Sequence, residues 1–229
     1  MRAVFIDSVE LAPDIRHMNF YAEGVETFKF VPGQFVSLSA LIGDKKITRA
    51  YSVVSIGADG NRFSLCLNKV ESGLFSPHLF SMQPGDGVDM KGPIGTFVLR
   101  NPVRDSVMIA TGTGVAPFRP MLAEVLGNTE HQYTLIFGVR HEQNLLYRTE
   151  FEELAARHAN FTFVPTVTRP TENWQGATGR VQPHLLTAIG GRHDLDVYVC
   201  GLNEMVSSVR ETLTAMGFDK KQIIHEKYD

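Results

Sequence analysis

The sequence is poor in cysteine, in long uncharged runs and in any excess of one charge, and each shortage excludes a class of protein. Cys66 and Cys200 are its only cysteines among 229 residues, too few for a four-thiolate iron–sulfur cluster or an all-cysteine zinc site. The eight histidines show no paired metal-ligand spacing. The sequence therefore predicts no metal site.

Uncharged runs are also short. The longest, Phe30–Gly43 and Ser72–Gly85, reach 14 residues, whereas a helix needs about 20 to cross a bilayer. The opening Met-Arg-Ala-Val-Phe-Ile-Asp meets an acid before an apolar stretch develops, so it does not resemble a secretory signal. We expect no membrane span and a cytoplasmic location.

The charge balance is nearly even, with a net charge of −3. Residues 1–100 carry 10 Lys/Arg and 10 Asp/Glu, and residues 101–229 carry 12 and 15. Because nucleic acid binding needs a positive excess, nucleic acid is not an expected partner. The even charge balance does not exclude a local basic patch.

Two halves of the sequence differ in periodicity. Up to about residue 100, short β-rich runs alternate with turn residues, and this pattern predicts a six-stranded antiparallel β-barrel over 1–100. The predicted strands are Ala3–Leu11, Ile15–Tyr21, Gln34–Leu41, Ile47–Ser55, Arg62–Val70 and Gly87–Pro93.

After a seam at 99–105, buried strands alternate with helical patterns over 101–229. This alternation predicts an α/β domain with a parallel sheet. The predicted strands are Ser106–Thr111, Tyr133–Val139, Phe161–Val167 and Asp196–Cys200, and the helices are Phe118–Leu126, Tyr147–His158, Val181–Ile189 and Glu204–Met216. Ile223-Ile224 reads as a last buried strand.

Two motifs of the first half could bind an anion. Arg49-Ala50-Tyr51-Ser52 ends a strand, and alternation puts Arg49 and Tyr51 on one face, where they could clamp an anion and stack on a flat ring. In Gly73-Leu74-Phe75-Ser76-Pro77 we predict Ser76 as the N-cap and Pro77 as the first helical residue, with free N–H groups for a phosphate. An exposed Arg–Tyr pair and an ordinary capped helix are the structural alternatives.

Two motifs of the second half follow apolar strands. Thr111-Gly112-Thr113-Gly114-Val115-Ala116-Pro117 is predicted to open a helix and to let the backbone approach a pyrophosphate, although Pro117 stands where the dinucleotide fingerprint has its third glycine. A structural tight turn is the alternative. Cys200-Gly201 ends the last apolar strand, where sheet ligands bind, although a lone cysteine is often a small buried hydrophobe. At the chain end, His225–Asp229, fraying is the usual expectation.

In this order the motifs resemble the ferredoxin–NADP reductase superfamily over nearly the full chain. The resemblance implies that Arg49 pairs with the FAD pyrophosphate, Tyr51 stacks on the isoalloxazine, Ser52 bonds near its N5, and the segment from Gly73 to Ser76 cradles the pyrophosphate. Implied cofactor contacts are Arg49, Ala50, Tyr51, Ser52, Gly73, Leu74, Phe75, Ser76, Thr111, Gly112, Thr113, Gly114, Pro117, Arg140, Thr168, Arg169, Arg180, Cys200 and Gly201, and implied catalytic residues are Ser52, Cys200, Glu226 and Tyr228.

The terminal Glu226-Lys227-Tyr228 is similar to the E-x-Y ending of plant-type members. The resemblance implies that Glu226 assists proton and electron transfer and that the Tyr228 ring covers the flavin. Asp229 is a departure, because the family's tyrosine is terminal. The family uses positions such as Arg140, Arg169 and Arg180 for the adenosine end of the nucleotide. Three cations there favour NADPH, because a 2′-phosphate dianion suits several partners; NADH stays open.

We therefore predict an FAD-dependent NAD(P)H oxidoreductase that passes electrons to a separate carrier, a ferredoxin or a flavodoxin. The carrier must be separate because the chain lacks cluster cysteines. An oxygenase reductase component, a diaphorase that reduces free flavins, quinones or dyes, and a non-catalytic flavoprotein subunit are the alternatives.

Overall fold

A computed structural model describes residues 1–55 and 59–228. Asp229, on which part of the expectation for Tyr228 rested, lies outside the described residues. The chain divides into two compact units, Met1–Val98 with Ala116–Ala123, and Leu99–Val115 with Glu124–Asp229. Among the described residues, no helix has the length and apolar character needed to cross a membrane.

The first unit is built on a six-stranded sheet whose order is β4-β3-β6-β1-β2-β5. All its paired strands are antiparallel, and a bridge between Val53 and Leu65 joins the two outer strands, so the sheet closes on itself. The predicted antiparallel barrel is confirmed. Its elements are β1 (Arg2–Ala12), β2 (Ile15–Ala22), β3 (Phe35–Ile42), β4 (Lys45–Ser52), β5 (Arg62–Asn68), helix α1 (Phe75–Ser81) and β6 (Gly87–Ile94).

Aromatic rings fill the interior of this barrel. Phe63 lies between Phe28 and Phe20, with ring centroids 4.5 Å and 5.7 Å away, and all three side chains are buried. Since strand side chains alternate between faces, the intervening residues of β2 and β5 point outwards, and all of them except the buried Cys66 are less buried. The inward positions form the core that holds the ends of β4 in place.

The second unit is built on a parallel six-stranded sheet of order β10-β9-β8-β7-β11-β12. The predicted parallel sheet with helices is confirmed. Its strands are β7 (Ser106–Thr111), β8 (Tyr133–Val139), β9 (Phe161–Val167), β10 (Ala177–Thr178), β11 (Asp196–Leu202) and β12 (Ile223–Tyr228). The helices that follow α1 along the chain are α2 (Phe118–Val125), α3 (Arg148–Arg157), α4 (Val181–Ile189) and α5 (Asn203–Ala215).

The chain end is ordered as a strand through Tyr228. In β12, Glu226 stands opposite Cys200 and Tyr228 opposite Leu202 of β11. The expectation of a frayed end is therefore wrong for these residues, because strand pairing holds the backbone on the sheet. Ile223 and Ile224 lie in this last strand, as predicted.

A buried acid marks the opposite, amino-terminal edge of the same sheet. Asp196 begins β11 with 1% of its surface exposed, and its carboxylate oxygens have no hydrogen-bond partner among the described residues. The nearest cation, Arg100 Nη1, is 3.8 Å from Oδ1. Burial raises the pKa of Asp196, and Arg100 and Arg104 oppose that rise. The ionised carboxylate thus destabilises the fold.

We predict that Asp196→Asn raises the melting temperature at pH 7, by roughly 2–4 °C if the gain is about 1 kcal/mol. A raised pKa in the folded state means that the unfolded chain ionises first, so wild-type stability falls as the pH rises above about 4. The advantage of the variant should therefore grow from that pH towards neutrality in thermal unfolding curves.

Asp194→Asn is the matched control. Hydrogen bonds from Arg192 lower the pKa of Asp194, so this variant should lose stability where the first gains it. An Asp196→Asn protein less stable than wild type at pH 7 would contradict the prediction.

Candidate functional site

The predicted flavin motif lies at the end of β4. In the register with β3, Arg49 stands opposite Leu38 and Tyr51 opposite Val36, so the two side chains share one face. Arg49 is exposed and donates to the Thr48 carbonyl over 2.8 Å. Tyr51 is half-buried, and burial raises its pKa to about 12 although Arg49 opposes the shift. The site therefore offers a neutral flat ring beside a solvated cation.

The second predicted flavin segment, from Gly73 to Ser76, is packed against this ring. Phe75 is buried, and its ring stacks on that of Tyr51 with centroids 6.2 Å apart and planes inclined by 19°. Ala50 precedes Tyr51 and Leu74 precedes Phe75 in the sequence, and both residues are exposed. Ser52, which follows Tyr51, is buried. The stack brings two motifs more than twenty residues apart into one site, a contact that the sequence did not predict.

The prediction of Ser76 as N-cap and Pro77 as first helical residue is wrong. Helix α1 begins at Phe75, and Leu74 precedes it without a side-chain cap. Ser76 is buried inside the first turn, where its hydroxyl accepts a hydrogen bond from the Val70 N–H over 2.9 Å. It stabilises the preceding turn, in which Gly73 N–H also donates to the Val70 carbonyl over 2.9 Å.

The glycine motif of the second unit forms a 3₁₀ turn, Gly112–Val115, directly after β7. An α-helix follows the motif as predicted, since α2 begins at Phe118 directly after Pro117. A Cβ atom on Gly114 would lie 2.4 Å from the Cys200 carbonyl oxygen. Glycine is therefore required for this loop to contact the end of β11.

The same contact involves Cys200-Gly201. Gly201 has a φ of +148°, and a Cβ atom there would lie 2.3 Å from Thr111 Oγ1. That hydroxyl oxygen is buried without a hydrogen-bond partner among the described residues. An unsatisfied polar atom at the carboxyl ends of two adjacent parallel strands fits a bound nucleotide, because sheet ligands bind at this edge.

Three of the four predicted catalytic residues meet in the second unit. The Cys200 thiol is buried, and burial raises its pKa well above the ordinary value. The charge of Glu226, on the neighbouring strand, raises the pKa further, whereas a hydrogen bond with Tyr228 opposes the rise. A thiol with a raised pKa stays protonated and is a poor nucleophile. Ser52, the fourth predicted residue, belongs to the first unit.

Arg140, Arg169 and Arg180 follow the strands β8, β9 and β10, at the carboxyl ends of the parallel strands. Backbone pairing continues past β8 and β9, since Arg169 N–H donates to the Arg140 carbonyl over 2.9 Å and Thr168 N–H to the Val139 carbonyl over 3.0 Å. Gly179, which precedes Arg180, donates its N–H to the Val167 carbonyl over 3.0 Å. Its own carbonyl accepts a hydrogen bond from Thr166 Oγ1 over 2.9 Å. The backbone is thus fixed while all three arginine side chains are exposed.

Two acids beside these arginines were missed from the sequence. Glu142 Oε1 accepts hydrogen bonds from Thr171 N–H and Oγ1, both over 2.8 Å, and these bonds lower its pKa. The carboxylate thereby holds the loop that follows Arg169. Glu204 Oε1 lies 3.7 Å from Arg180 Nη1. A single acid soon after a strand is too common for a sequence signal, although both follow strands at the ligand-binding edge.

Comparison with known proteins assigns the two halves of the chain. Residues 2–99 match the oxidoreductase FAD-binding domain, and residues 108–211 match the oxidoreductase NAD-binding domain. Over 230 residues the chain is 35% identical to ferredoxin–NADP reductase B of Sorangium cellulosum, covering 96% of this chain and 93% of that protein. The chain belongs to the ferredoxin–NADP reductase family.

Other members of this family are also similar. The toluate 1,2-dioxygenase electron transfer component of Pseudomonas putida is 36% identical over 87% of this chain, which spans 59% of that protein. A ferredoxin–NADP⁺ reductase structure from Neisseria gonorrhoeae, with bound FAD and NADP, has a TM-score of 0.83 and 26% identity, covering 99% and 98% of the two chains. The protein is thus an oxidoreductase with FAD- and NAD-binding domains, as the sequence predicted.

We predict that Arg49→Ala weakens FAD retention by about 1.5–3 kcal/mol, the range for hydrogen bonds to charged groups. The reason is that Arg49 is an exposed cation beside the half-buried Tyr51 ring, where a pyrophosphate would need one. FAD content after gel filtration and fluorescence titration of the apoprotein measure the effect. Arg62→Ala removes an exposed cation from β5 and is the control. Full occupancy of Arg49→Ala at low free FAD would contradict this role.

Proposed function

We propose that the protein oxidises NADPH and passes the electrons, through FAD, to a separate ferredoxin or flavodoxin. The observation that carries this proposal is the set of three exposed arginines, Arg140, Arg169 and Arg180, after successive strands at one edge of the parallel sheet. A 2′-phosphate is a dianion that an arginine can bind through two hydrogen bonds. The similarity to a protein named ferredoxin–NADP reductase B supports the same nucleotide.

In this proposal FAD supplies the redox chemistry, and residues of the chain bind and orient it. FAD, when bound, accepts two electrons as a hydride and releases them one at a time. In our proposal Arg49 and the turn from Gly73 to Ser76 hold the FAD pyrophosphate. Tyr51 stacks on the isoalloxazine ring, and Ser52 donates a hydrogen bond to that ring near N5. The stack of Tyr51 on the buried Phe75 ring keeps these parts together.

On the nucleotide side, the Gly112–Val115 turn and Thr111 would receive the pyrophosphate and the nearby sugar. Cys200 shapes the pocket for the nicotinamide as a neutral thiol, and Glu226, opposite it on β12, polarises this pocket or holds a proton. Arg140, Thr168, Arg169 and Arg180 bind the adenosine end. That the Tyr228 ring covers the flavin stays a prediction.

Relatives in this family pass electrons to separate acceptors, and the described chain agrees with that arrangement. Both cysteines are buried, and no group of three or more metal-binding side chains is found among the described residues. A one-electron carrier is therefore expected to be another protein.

A reductase component of an oxygenase is the second candidate function. It is favoured by the 36% identity to the toluate 1,2-dioxygenase electron transfer component, of which this chain spans 59%. The two candidates share the FAD and nucleotide chemistry and differ in the acceptor.

One experiment tests these functions in sequence. The FAD-loaded protein is titrated anaerobically with NADPH and, separately, with NADH, and the reduced protein is then offered ferredoxin, flavodoxin, an oxygenase component, free FMN, a quinone and a dye. Rapid bleaching by NADPH and turnover with ferredoxin or flavodoxin support the proposal. Turnover only with small acceptors indicates a diaphorase, and a flavin that neither nucleotide bleaches indicates a non-catalytic subunit.

We predict that Arg169→Ala and Arg180→Ala each raise the KM for NADPH about ten-fold or more, because each removes a charged contact with the 2′-phosphate. The KM for NADH should stay nearly unchanged. Steady-state rates with both nucleotides measure the difference, and Arg157→Ala, at the exposed end of α3, is the control. If the double variant Arg169→Ala/Arg180→Ala loses NADPH and NADH activity equally, the arginines serve the fold or bind the pyrophosphate that both nucleotides share.

We also predict that Cys200→Ser slows flavin reduction in stopped-flow measurements without changing FAD content. The protonated thiol acts through its shape in the pocket, so no covalent adduct should appear by mass spectrometry. Cys66→Ser, at a buried site within the barrel, should leave the reduction rate unchanged. A thiol adduct of the nucleotide, or normal reduction in Cys200→Ser, would overturn this role.

A further inference from the structure

An ion pair bridges two helix starts at the ligand-binding edge of the parallel sheet. Arg180 immediately precedes α4, and Glu204 lies in the first turn of α5. Arg180 Nη1 and Glu204 Oε1 are 3.7 Å apart, and the side chains are 73% and 87% exposed. The distance exceeds that of a hydrogen bond, so the two groups interact as hydrated charges.

The other two arginines at this edge, Arg140 and Arg169, lack such a partner among the described residues. Within residues 1–55 and 59–228, neither Arg140 nor Arg169 has a carboxylate within ion-pair distance, and Glu142 is committed to its two hydrogen bonds with Thr171. In this part of the chain Glu204 is thus the acid that offsets the charge of the cluster. It does so at Arg180, whose backbone is fixed by the anchored Gly179.

The position of Glu204 has an ordinary explanation, because an acid in the first turn of a helix is favoured by the helix dipole. That explanation does not involve Arg180. An effect of Glu204 that requires Arg180 would therefore distinguish a role in binding from a role in helix stability.

We propose that Glu204 is a specificity-determining residue that weakens binding of the 2′-phosphate through its ion pair with Arg180. This inference rests on the proposed function. A phosphate dianion that reaches Arg180 must displace the carboxylate or lie beside it, and both cost binding free energy. NADH presents an uncharged hydroxyl at the same position, so its binding is not opposed. Glu204 thereby limits the preference for NADPH that three arginines would otherwise confer.

The size of the effect follows from the exposure of both side chains. Exposed ion pairs are weak, and removing the carboxylate should tighten binding of a 2′-phosphate about two- to five-fold. Added salt screens charges in water, so the gain should shrink as ionic strength rises.

The test uses the FAD-loaded full chain and the variant Glu204→Gln. Isothermal titration with adenosine 2′,5′-bisphosphate and with 5′-AMP separates the 2′-phosphate from the rest of the nucleotide. We expect tighter binding of the bisphosphate, no change for 5′-AMP, and a similar fall in the KM for NADPH alone. Glu211→Gln, an exposed position farther along α5, removes the same charge and should change neither ligand.

A double-mutant cycle decides whether Arg180 mediates the effect. Adding Glu204→Gln to Arg180→Ala should give no further gain; a gain that persists without Arg180 would overturn the inference, as would unchanged binding in the single variant. Weaker binding of 5′-AMP or NADH in Glu204→Gln would also overturn it, since the carboxylate would then contact the ribose.

The wild-type protein separates failure of this inference from failure of the proposed function. If wild type binds both probes equally and Arg180→Ala changes neither, the NADPH proposal fails and the inference fails with it. If wild type prefers the bisphosphate and Arg180→Ala removes that preference while Glu204→Gln changes nothing, only the role of Glu204 is refuted.

Discussion

The close approach of two backbone segments in the second unit determines where its chemistry can occur. The glycine loop lies against the end of β11 at a separation that no side chain would permit, because a Cβ atom on Gly114 or Gly201 would collide with Cys200 or Thr111. The contact places the loop, the Thr111 hydroxyl and the thiol at the carboxyl ends of adjacent strands β7 and β11. Parallel pairing with β12 then adds Glu226 and Tyr228.

In the first unit, aromatic packing brings separate segments of the chain together. Its two predicted flavin-binding segments lie on different elements, and the Tyr51–Phe75 stack joins them. The Phe20, Phe28 and Phe63 rings fill the barrel interior behind the outward-facing residues. Because Arg49 and Tyr51 lie on strand β4, the barrel presents a cation and a ring without the cost of ordering a loop.

Charge is organised locally in a chain whose total charge is small. Arg140, Arg169 and Arg180 lie at one edge of the sheet, and the nearby acids are engaged differently: Glu142 stabilises the loop after Arg169, whereas Glu204 faces Arg180. Under the proposed function, cofactor preference in this unit depends on how each acid is held, as well as on how many arginines are present.

The sequence alone determined the two-unit architecture and most strand and helix positions. Periods of two and of 3.6 residues are local properties, and β7, β8, β9 and α4 have the predicted bounds. It also indicated the order of the motifs, from Arg49 to Tyr228, because each consists of a few adjacent residues. These features need only neighbours in the chain.

Tertiary structure decided what depends on residues distant in the sequence. Ser76 was predicted as an N-cap from its local context, but the helix starts earlier because Phe75 packs on Tyr51 and the Ser76 hydroxyl bonds Val70. Pairing with β11 orders the chain end, where local sequence indicated fraying. The contacts of Glu142 and Glu204 likewise depend on how strands and helices are placed side by side. A single acid carries no periodic signal, so its role follows only from the partner that the fold brings to it.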